Sequence, residues 1–279
     1  MEAAGAGDSA RAPVRLTVSS RHVCFDHDSR PPIPELSGAA VSHDELVLEA
    51  DDGARFAAFA AAPDDPSGIG VVVLPDVRGL YRFYEELALR FAERGIAAVA
   101  IDYFGRTAGV ARRGEEFEYR EHVERTRPET IQADVAAAVA QLRPSCHAVF
   151  TVGFCFGGRH SWLAAAAGHG LAGAVGFYGR PGPGQDGSPG PAQRAAELTA
   201  PILGLMGGAD QAIPASDVTA FDEALDAAGV EHELITYEGA PHSFFDRRYD
   251  EFAEASEDAW RRVLEFLDRY GGATEPGSR

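Results

Sequence analysis

The sequence predicts an α/β fold in which helices cover both faces of a mostly parallel sheet. Short apolar runs alternate with helical segments along most of the 279 residues, and this alternation is typical of consecutive β-α-β units. Several runs are apolar throughout, as expected for strands that are buried on both faces. Hydrophobic residues make up 45% of the chain and charged residues 24%, which is an ordinary composition for a globular protein.

The predicted elements begin near residue 44 and follow one another in a regular order. Two extended runs around the turn at residues 51–53 (DDG) predict an antiparallel hairpin at the edge of the sheet. The hairpin strands and the later strands are predicted at 45–49, 55–61, 70–74, 97–101, 148–153, 172–177, 201–206 and 233–237. Helices are predicted at about 83–94, 128–142, 157–167, 215–228 and 250–270. Gly95 and Pro128 stand where helices commonly end and begin.

We expect a single folded domain over residues 35–272. Residues 1–34 predict a partly disordered N-terminal arm, because their start is small and polar and their end combines prolines with charges. Residues 273–279 are expected to form a disordered tail. Residues 179–191 (GRPGPGQDGSPGP) follow a predicted strand and are too rich in Gly and Pro for regular structure. They predict a mobile loop at the edge of the sheet where ligands bind in such folds.

Charge and cysteine content exclude several classes of function. A formal net charge of −18 repels phosphate backbones and anionic lipid, so neither nucleic acid nor a membrane is an expected partner. The three cysteines, Cys24, Cys146 and Cys155, form no C-x-x-C pair. No His, Cys and Asp grouping has metal-ligand spacing, so we expect neither a disulfide framework nor a metal site. Residues 1–13 have neither the basic start nor the apolar run of a signal peptide, and no later run is apolar for long enough to predict a membrane span. We therefore predict a cytoplasmic protein, monomeric or homodimeric.

The strongest chemical signal is the run at residues 153–158 (GFCFGG), which follows a predicted strand and opens a predicted helix. This is the strand–turn–helix context of a nucleophile elbow, where a nucleophilic side chain stands on a tight turn between small residues. The backbone N–H of Phe156 would then point toward a substrate carbonyl oxygen, and the helix N-terminus favours a thiolate. By itself, Cys155 is equally well explained as a buried structural thiol.

Two further loops supply an acid and a histidine in the chain order of α/β-hydrolases. Asp210 ends residues 206–210 (MGGAD), and His242 lies within residues 239–244 (GAPHSF). Both runs directly follow predicted strands, so Cys155, Asp210 and His242 are expected to meet at one edge of the sheet. Alone, Asp210 is explained as a turn residue and His242 as one of nine histidines. In this order the three residues favour a catalytic triad.

On these motifs, the chain from about residue 44 to residue 270 resembles the dienelactone hydrolase family of the α/β-hydrolase superfamily. That family has a Cys in G-x-C-x-G-G, an Asp in a G-G-x-D loop and a His in a G-H-S-F-like loop, matched here by Cys155, Asp210 and His242. The resemblance implies an α/β-hydrolase fold and no cofactor. It also implies hydrolysis of a small ester or lactone, such as the cyclic enol ester 4-carboxymethylenebutenolide, through a thioacyl-enzyme.

The resemblance also implies roles for residues near the nucleophile, with two departures. In residues 74–79 (LPDVRG), Asp76 replaces a family Glu that contacts the resting cysteine, and the N–H of Val77 completes the oxyanion hole with that of Phe156. The family also has an Arg for the substrate carboxylate shortly after the histidine loop. Here residues 245–248 read FDRR, so an acid stands there and an arginine follows it. The departures leave the hydrolytic residues intact and the substrate open.

Several further side chains that follow predicted strands are candidates for holding a carboxylate or a ring of the substrate. Any one such residue is more often a solvated or packed surface residue. The candidates are Arg78, Tyr81, Tyr103, Phe104, Arg106, Phe244 and Arg247. His160 and His169 lie on or just after the helix that follows Cys155, and we expect them on its exposed side.

Three other functions stay open at this point. The same fold and triad would serve a broad-specificity carboxylesterase or thioesterase. A non-catalytic ligand receptor on this fold would not need a complete triad. A redox sensor would need a resolving cysteine close to Cys155, whereas Cys146 precedes the predicted strand and is expected at its opposite end. The sequence therefore favours a carboxylic-ester hydrolase.

Overall fold

Eight strands form a single sheet in the computed structural model, which describes residues 29–184 and 187–272. The strands are β1 Val41–Glu49, β2 Arg55–Pro63, β3 Ile69–Leu74, β4 Ala97–Ile101, β5 Ala148–Phe154, β6 Gly173–Phe177, β7 Ile202–Gly207 and β8 His232–Tyr237. Their order in the sheet is β1-β2-β4-β3-β5-β6-β7-β8. Strands β3 to β8 pair in parallel, whereas β2 is antiparallel to both β1 and β4. The predicted mostly parallel sheet with an antiparallel edge is confirmed.

The central strands are buried on both faces, as their continuous apolar runs predict. In β3, Val71 and Val73 face a hydrophobic cluster that includes Phe83 and Val263, from two helices packed on one side. Val72 and Leu74 face a second cluster that includes Ile131 and Val135 of the helix at Pro128–Leu142. Because successive side chains of a strand point to opposite faces, each apolar residue of β3 stabilises one of the two layers.

Helices cover both faces of this sheet. They are α1 Arg82–Ala92, α2 Gly105–Ala108, α3 Tyr119–Val123, α4 Pro128–Leu142, α5 Phe156–Ala164, α6 Ala215–Ala228 and α7 Ala253–Gly271, together with a 3-10 helix at Ala192–Glu197. The predicted bounds of α4 and α6 match those observed. Helix α7 begins three residues later than predicted because the preceding residues form turns, with the N–H of Tyr249 donating to the carbonyl of Asp246. The short helices α2 and α3 were not predicted.

The single sheet runs through the region in which we expect one domain. Of the predicted N-terminal arm, only residues 29–34 are described, and Ile33 is buried in the same cluster as α1. Residues 1–28 and the predicted tail at 273–279 lie outside the described residues. Within the described part of the chain, no helix has the length and apolar character needed to cross a bilayer.

Candidate active site

Cys155 stands on a strained turn between β5 and α5. Its backbone has φ 55° and ψ −112°, a left-handed conformation that costs a non-glycine residue about 1–3 kcal/mol. The turn is held in place because the N–H of Cys155 donates to the carbonyl oxygen of Phe177, 3.0 Å away at the end of β6. The half-buried thiol therefore projects at the carboxyl edge of the sheet, as the elbow motif predicts.

The glycines around Cys155 are required by close contacts. A Cβ atom at Gly153 would overlap the carbonyl oxygen of Gly157, and a Cβ at Gly157 would overlap the carbonyl oxygens of Leu74 and Pro75. Helix α5 therefore begins directly against the loop that follows β3. Since Leu74 and Pro75 open the predicted oxyanion loop, the two glycines set the distance between that loop and the cysteine.

Asp210 and His242 are joined by a hydrogen bond of 2.6 Å between Oδ2 of Asp210 and Nδ1 of His242. The Asp210 side chain is buried, whereas 29% of the His242 side chain is exposed. The other carboxylate oxygen of Asp210 accepts the N–H of Ala212 at 2.8 Å. This arrangement fixes the acid and holds the imidazole through Nδ1, the nitrogen that the orienting acid bonds in a catalytic triad.

Backbone hydrogen bonds hold the acid loop and the histidine loop side by side. The N–H of Ala209 donates to the carbonyl of Ala240 at 2.9 Å, and the N–H of Gly208 to that of Tyr237 at 2.8 Å. A Cβ at Gly207 would meet the carbonyl oxygens of Ala240 and Pro241. The adjacent parallel strands β7 and β8 end at this point, so the pairing of Asp210 with His242 follows from the sheet itself.

An aromatic cluster brings the histidine loop to the elbow. Phe245 packs against Phe154, which precedes Cys155, with ring centroids 5.9 Å apart, and against Phe177 at 4.7 Å. These buried rings lie directly beneath the edge of the sheet. The cysteine, acid and histidine predicted from the sequence therefore stand on neighbouring loops at one edge.

The predicted oxyanion loop at residues 75–80 is held from below by two tyrosines. The hydroxyl of Tyr103 donates to the carbonyl of Pro75 at 2.8 Å, and Oη of Tyr84 accepts the N–H of Asp76 at 2.8 Å. Burial raises the pKa of Tyr103 well above its usual range, so its hydroxyl remains a donor. No described residue accepts a hydrogen bond from the N–H of Val77 or of Phe156, and both amides are thus suited to bind a substrate oxygen.

Asp76 is fully buried at the start of this loop. Its Oδ1 accepts the N–H of Arg78 at 2.9 Å, and its Oδ2 lies 3.7 Å from the guanidinium Nε of Arg78. The Arg78 guanidinium also lies over the ring of Tyr81, 4.7 Å from its centroid. Asp76 therefore fixes the loop through a backbone hydrogen bond, and a cation partly offsets its charge.

Other predicted substrate-binding residues have structural contacts. Tyr81 is buried and its hydroxyl donates to the carbonyl of Gly114 at 3.0 Å. Tyr103, Phe104 and Phe244 are buried as well, since a residue that follows a strand can turn into the layer beneath it. Arg247 is exposed, so among these residues it retains a side chain that a ligand can reach.

Arg106 has a different position from the one that we expected. Its guanidinium bonds both carboxylate oxygens of buried Asp134 in α4 at 2.7 Å, and those of Asp52 in the hairpin turn at 2.9 Å. These contacts join the antiparallel edge of the sheet to α4. Because both partners engage the whole guanidinium group, we assign Arg106 to the fold and leave it out of the proposed site.

His160 is a correction to the sequence prediction. It is buried against Phe156, with ring centroids 4.5 Å apart, rather than exposed. Burial lowers its pKa to about 3, so it is neutral near pH 7. His169 is partly buried and its ring contacts Gln132 at 3.1 Å. In the described residues, no group of side chains has the composition of a metal site.

The Gly- and Pro-rich loop at residues 179–191 is irregular in its described part, and its two ends are anchored. The N–H of Ala192 donates to the carbonyl of Pro181 at 3.0 Å. Arg159, in the first turns of α5, donates to the carbonyls of Arg180 at 3.2 Å and Gly182. The loop base therefore packs on the helix that begins at the nucleophile, at the predicted edge of the sheet.

The structure also reveals a buried pair that the sequence analysis did not connect. Tyr178, directly after β6, donates its hydroxyl to Oδ2 of Asp246 at 2.8 Å, and its ring packs against His242 with centroids 4.9 Å apart. The position of Tyr178 directly after a strand is a sequence signal for a residue near this site. The sequence identifies Asp246 only as a departure from the family pattern. Their contact was not foreseeable, because 68 residues separate them.

Comparison with known proteins decides the family. The model of the dienelactone hydrolase family matches residues 56–271. This chain belongs to the dienelactone hydrolase family. It is 33% identical over 237 residues to "Putative carboxymethylenebutenolidase" of Escherichia coli (strain K12), covering 79% of this chain and 84% of the relative. It is 29% identical over 268 residues to the carboxymethylenebutenolidase of Rhodococcus opacus, covering 89% of this chain and 97% of the relative.

A solved structure extends the similarity to the fold. The crystal structure named as a putative dienelactone hydrolase from Klebsiella pneumoniae subsp. pneumoniae MGH 78578 matches with a TM-score of 0.72 at 28% identity. The match covers 83% of this chain and 100% of that chain. The predictions of an α/β-hydrolase fold and of a dienelactone hydrolase-like ester hydrolase are thereby confirmed.

The contact between α5 and the oxyanion loop gives a direct test of the site geometry. Gly157→Ala should force these elements apart, because its Cβ would overlap two carbonyl oxygens. We expect kcat/KM for p-nitrophenyl acetate to fall at least about a hundredfold, and the free energy of unfolding to fall by about 1–3 kcal/mol. Gly114→Ala is the matched control, since a Cβ there meets nothing within 4 Å. Equal activity in the two variants would contradict this geometry.

Proposed function

We propose that this dienelactone hydrolase family member cleaves a small ester or lactone with Cys155 as nucleophile, His242 as general base and Asp210 as the orienting acid. The observation that carries the proposal is the 2.6 Å hydrogen bond between Asp210 and His242, on loops adjoining the strained turn of Cys155. A ligand receptor would have no use for this pairing beside a nucleophile elbow.

In the first step, Nε2 of His242 takes the proton of the Cys155 thiol, and Asp210 stabilises the imidazolium through Nδ1. The thiolate attacks the carbonyl carbon of the substrate. The negative charge moves to the carbonyl oxygen, which accepts hydrogen bonds from the N–H groups of Val77 and Phe156. The N-terminus of α5, a helix of nine residues, favours both the thiolate and this oxyanion.

In the second step, the tetrahedral intermediate collapses and the bond to the leaving oxygen breaks. His242 gives its proton to that oxygen, which leaves a thioester on Cys155. His242 then takes a proton from water, and the resulting hydroxide attacks the thioester carbonyl. Collapse of this second intermediate releases the carboxylic acid and returns the proton to Cys155. For a lactone, the acid and the alcohol or enol remain in one product.

The substrate class follows from the family and from the site. Two relatives bear the name carboxymethylenebutenolidase, which supports testing lactones first. The exposed part of His242 is compatible with open esters, so a broader carboxylesterase or thioesterase is the second candidate. The predicted cytoplasmic location, and a monomeric or homodimeric state, stay predictions of the sequence.

Variants of the three proposed residues test the assignment. We expect Cys155→Ala and His242→Ala each to lower kcat on p-nitrophenyl esters and lactones by at least about a thousandfold. The double variant should lose no more of kcat than either single variant, because triad members act as a unit. Cys146→Ala, which removes the buried thiol near the start of β5, is the matched control and should keep its activity. Turnover by a folded Cys155→Ala variant would exclude this mechanism.

We further propose that Asp76 keeps the resting Cys155 protonated, because a buried carboxylate near a thiol disfavours the thiolate. A protonated thiol resists oxidation and alkylation between turnovers. Two observations support a location close to the nucleophile. Asp76 precedes the proposed oxyanion residue Val77, and the charges of both Asp76 and Cys155 act on buried Tyr103. The alternative is that Asp76 serves only to fix the loop through the N–H of Arg78.

The two roles of Asp76 predict different labelling of Cys155. In a Cys24→Ala/Cys146→Ala background, Asp76→Asn should speed the reaction of the Cys155 thiol with iodoacetamide near pH 7, because the negative charge of the carboxylate is removed. The substitution keeps an oxygen for the N–H of Arg78, so the loop should survive. The measurement is the labelling rate against pH with and without the substitution. An unchanged profile in a folded protein would leave only the structural role.

A further inference from the structure

The pair Tyr178 and Asp246 forms a second support for the proposed base. The Tyr178 ring packs against the imidazole of His242, with centroids 4.9 Å apart and planes inclined by 55°. Asp210 holds the same imidazole at its edge, through Nδ1. Two different contacts, a hydrogen bond to Nδ1 and the packing of an aromatic ring, therefore restrict the orientation of the imidazole.

The Tyr178 ring is fixed from behind by Asp246. Tyr178 is fully buried and Asp246 is 3% exposed, and their side chains share a hydrogen bond of 2.8 Å. The second carboxyl oxygen of Asp246 accepts the N–H of Arg247. The N–H of Asp246 donates to the carbonyl of Ser243 at 3.3 Å, so Asp246 joins the turn that follows His242 to the end of β6.

Backbone strain marks the same three loops. Among the described residues, the non-glycine residues with positive φ are Cys155 at 55°, Tyr178 at 37° and Ser243 at 63°. Each such residue costs about 1–3 kcal/mol and persists only where surrounding contacts impose it. The bond between Tyr178 and Asp246 ties two of these strained turns together, and the N–H of Cys155 bonds the residue before Tyr178.

We infer that Asp246 is a positioning residue for the reaction of Cys155, acting through the Tyr178 ring on the orientation of His242. The inference rests on the proposed function in that it takes His242 as the base. It adds a second contact, beyond the triad, that holds Nε2 in line with the thiol. Misplacement of a reacting group by about 1 Å costs on the order of a hundredfold in rate, so loss of this contact should be measurable.

The positioning role assigned to Asp246 requires its hydrogen bond with Tyr178 rather than its negative charge. Burial raises the pKa of Asp246 well above its usual range, whereas the hydrogen bonds that it accepts from Arg247 and Tyr178 act in the opposite direction. Asp246→Asn would keep a hydrogen bond to Tyr178 with its direction reversed, since the amide NH2 would donate to the Tyr178 oxygen while the amide oxygen accepts the N–H of Arg247. Asp210, the charged group bonded to the imidazole, is unchanged by this substitution.

The experiment compares Tyr178→Phe, Asp246→Leu and Asp246→Asn in a Cys24→Ala/Cys146→Ala background. Tyr178→Phe keeps the ring and removes the hydroxyl, which provides a second variant if Asp246→Leu does not fold. Tyr237→Phe is the matched control. Tyr237 also donates its hydroxyl to an aspartate, Asp258 at 2.9 Å, and it is the last residue of β8, at the same edge of the sheet. The readouts are kcat and KM for p-nitrophenyl acetate, and the rate of iodoacetamide labelling of Cys155 against pH.

We expect Tyr178→Phe and Asp246→Leu to lower kcat by about tenfold to a hundredfold with KM changed less than about twofold. Labelling should slow near pH 7 and reach the unaltered rate at high pH, where the thiolate forms without His242. Asp246→Asn should keep kcat within about threefold of the parent value, and Tyr237→Phe should have the same kcat as the parent. A purely structural role would not shift the labelling profile along the pH axis.

Two results would overturn the inference. One is an unshifted labelling profile in folded Tyr178→Phe. The other is an equal loss of kcat in Asp246→Asn and Asp246→Leu, which would show that the charge of Asp246 matters instead of its hydrogen bond. The labelling readout also separates this inference from the proposed function. If the parent hydrolyses no ester but the profile shifts as expected, the positioning role stands and the hydrolytic assignment fails.

Discussion

The close packing of α5 against the loop after β3 is the constraint on which the proposed site depends. Gly157 allows this packing because a side chain there would overlap the carbonyls of Leu74 and Pro75. The packing sets the separation of the two amides proposed for the oxyanion hole, Val77 and Phe156. Cys155, directly before this helix, adopts a left-handed turn that the hydrogen bond to Phe177 sustains. The central parallel strands supply the rigid frame whose contacts offset the cost of this strained turn in the folded state.

The remaining parts of the site are joined to this turn by short-range contacts across neighbouring strands. Backbone hydrogen bonds hold the Asp210 loop beside the His242 loop, and the ring of Phe245 attaches the histidine loop to the core beneath the elbow. Tyr178 completes the arrangement from β6. Four successive strands of the sheet, β5 to β8, thus each contribute one element at their carboxyl ends, as expected for an open parallel sheet.

Local sequence signals were sufficient for the elements and for the three proposed triad residues. A strand followed by G-x-C-x-G-G, and an acid and a histidine each directly after a strand, are patterns whose chemistry and position are encoded within a few residues. The start of α7 and the short helices α2 and α3 were missed because turns and one-turn helices lack a periodic pattern.

Contacts between distant segments were the part that the sequence could not supply. Arg106 was a candidate for substrate binding, but its partners Asp52 and Asp134 lie 54 and 28 residues away. Phe104 and Phe244 were likewise candidates for substrate binding, and both are buried, because position after a strand does not determine which way a side chain points. The pairing of Tyr178 with Asp246 likewise depends on the packing of β6 against the histidine loop.

The central claim is that Cys155 carries the acyl group during hydrolysis. Its most direct test is mass spectrometry of the protein after rapid acid quenching of its reaction with p-nitrophenyl acetate, followed by peptide mapping. The account predicts an acetyl group on the peptide that contains Cys155, removable by neutral hydroxylamine as a thioester is, and absent from Cys155→Ala. An acetyl intermediate on any other side chain of a protein that turns over this ester would contradict it.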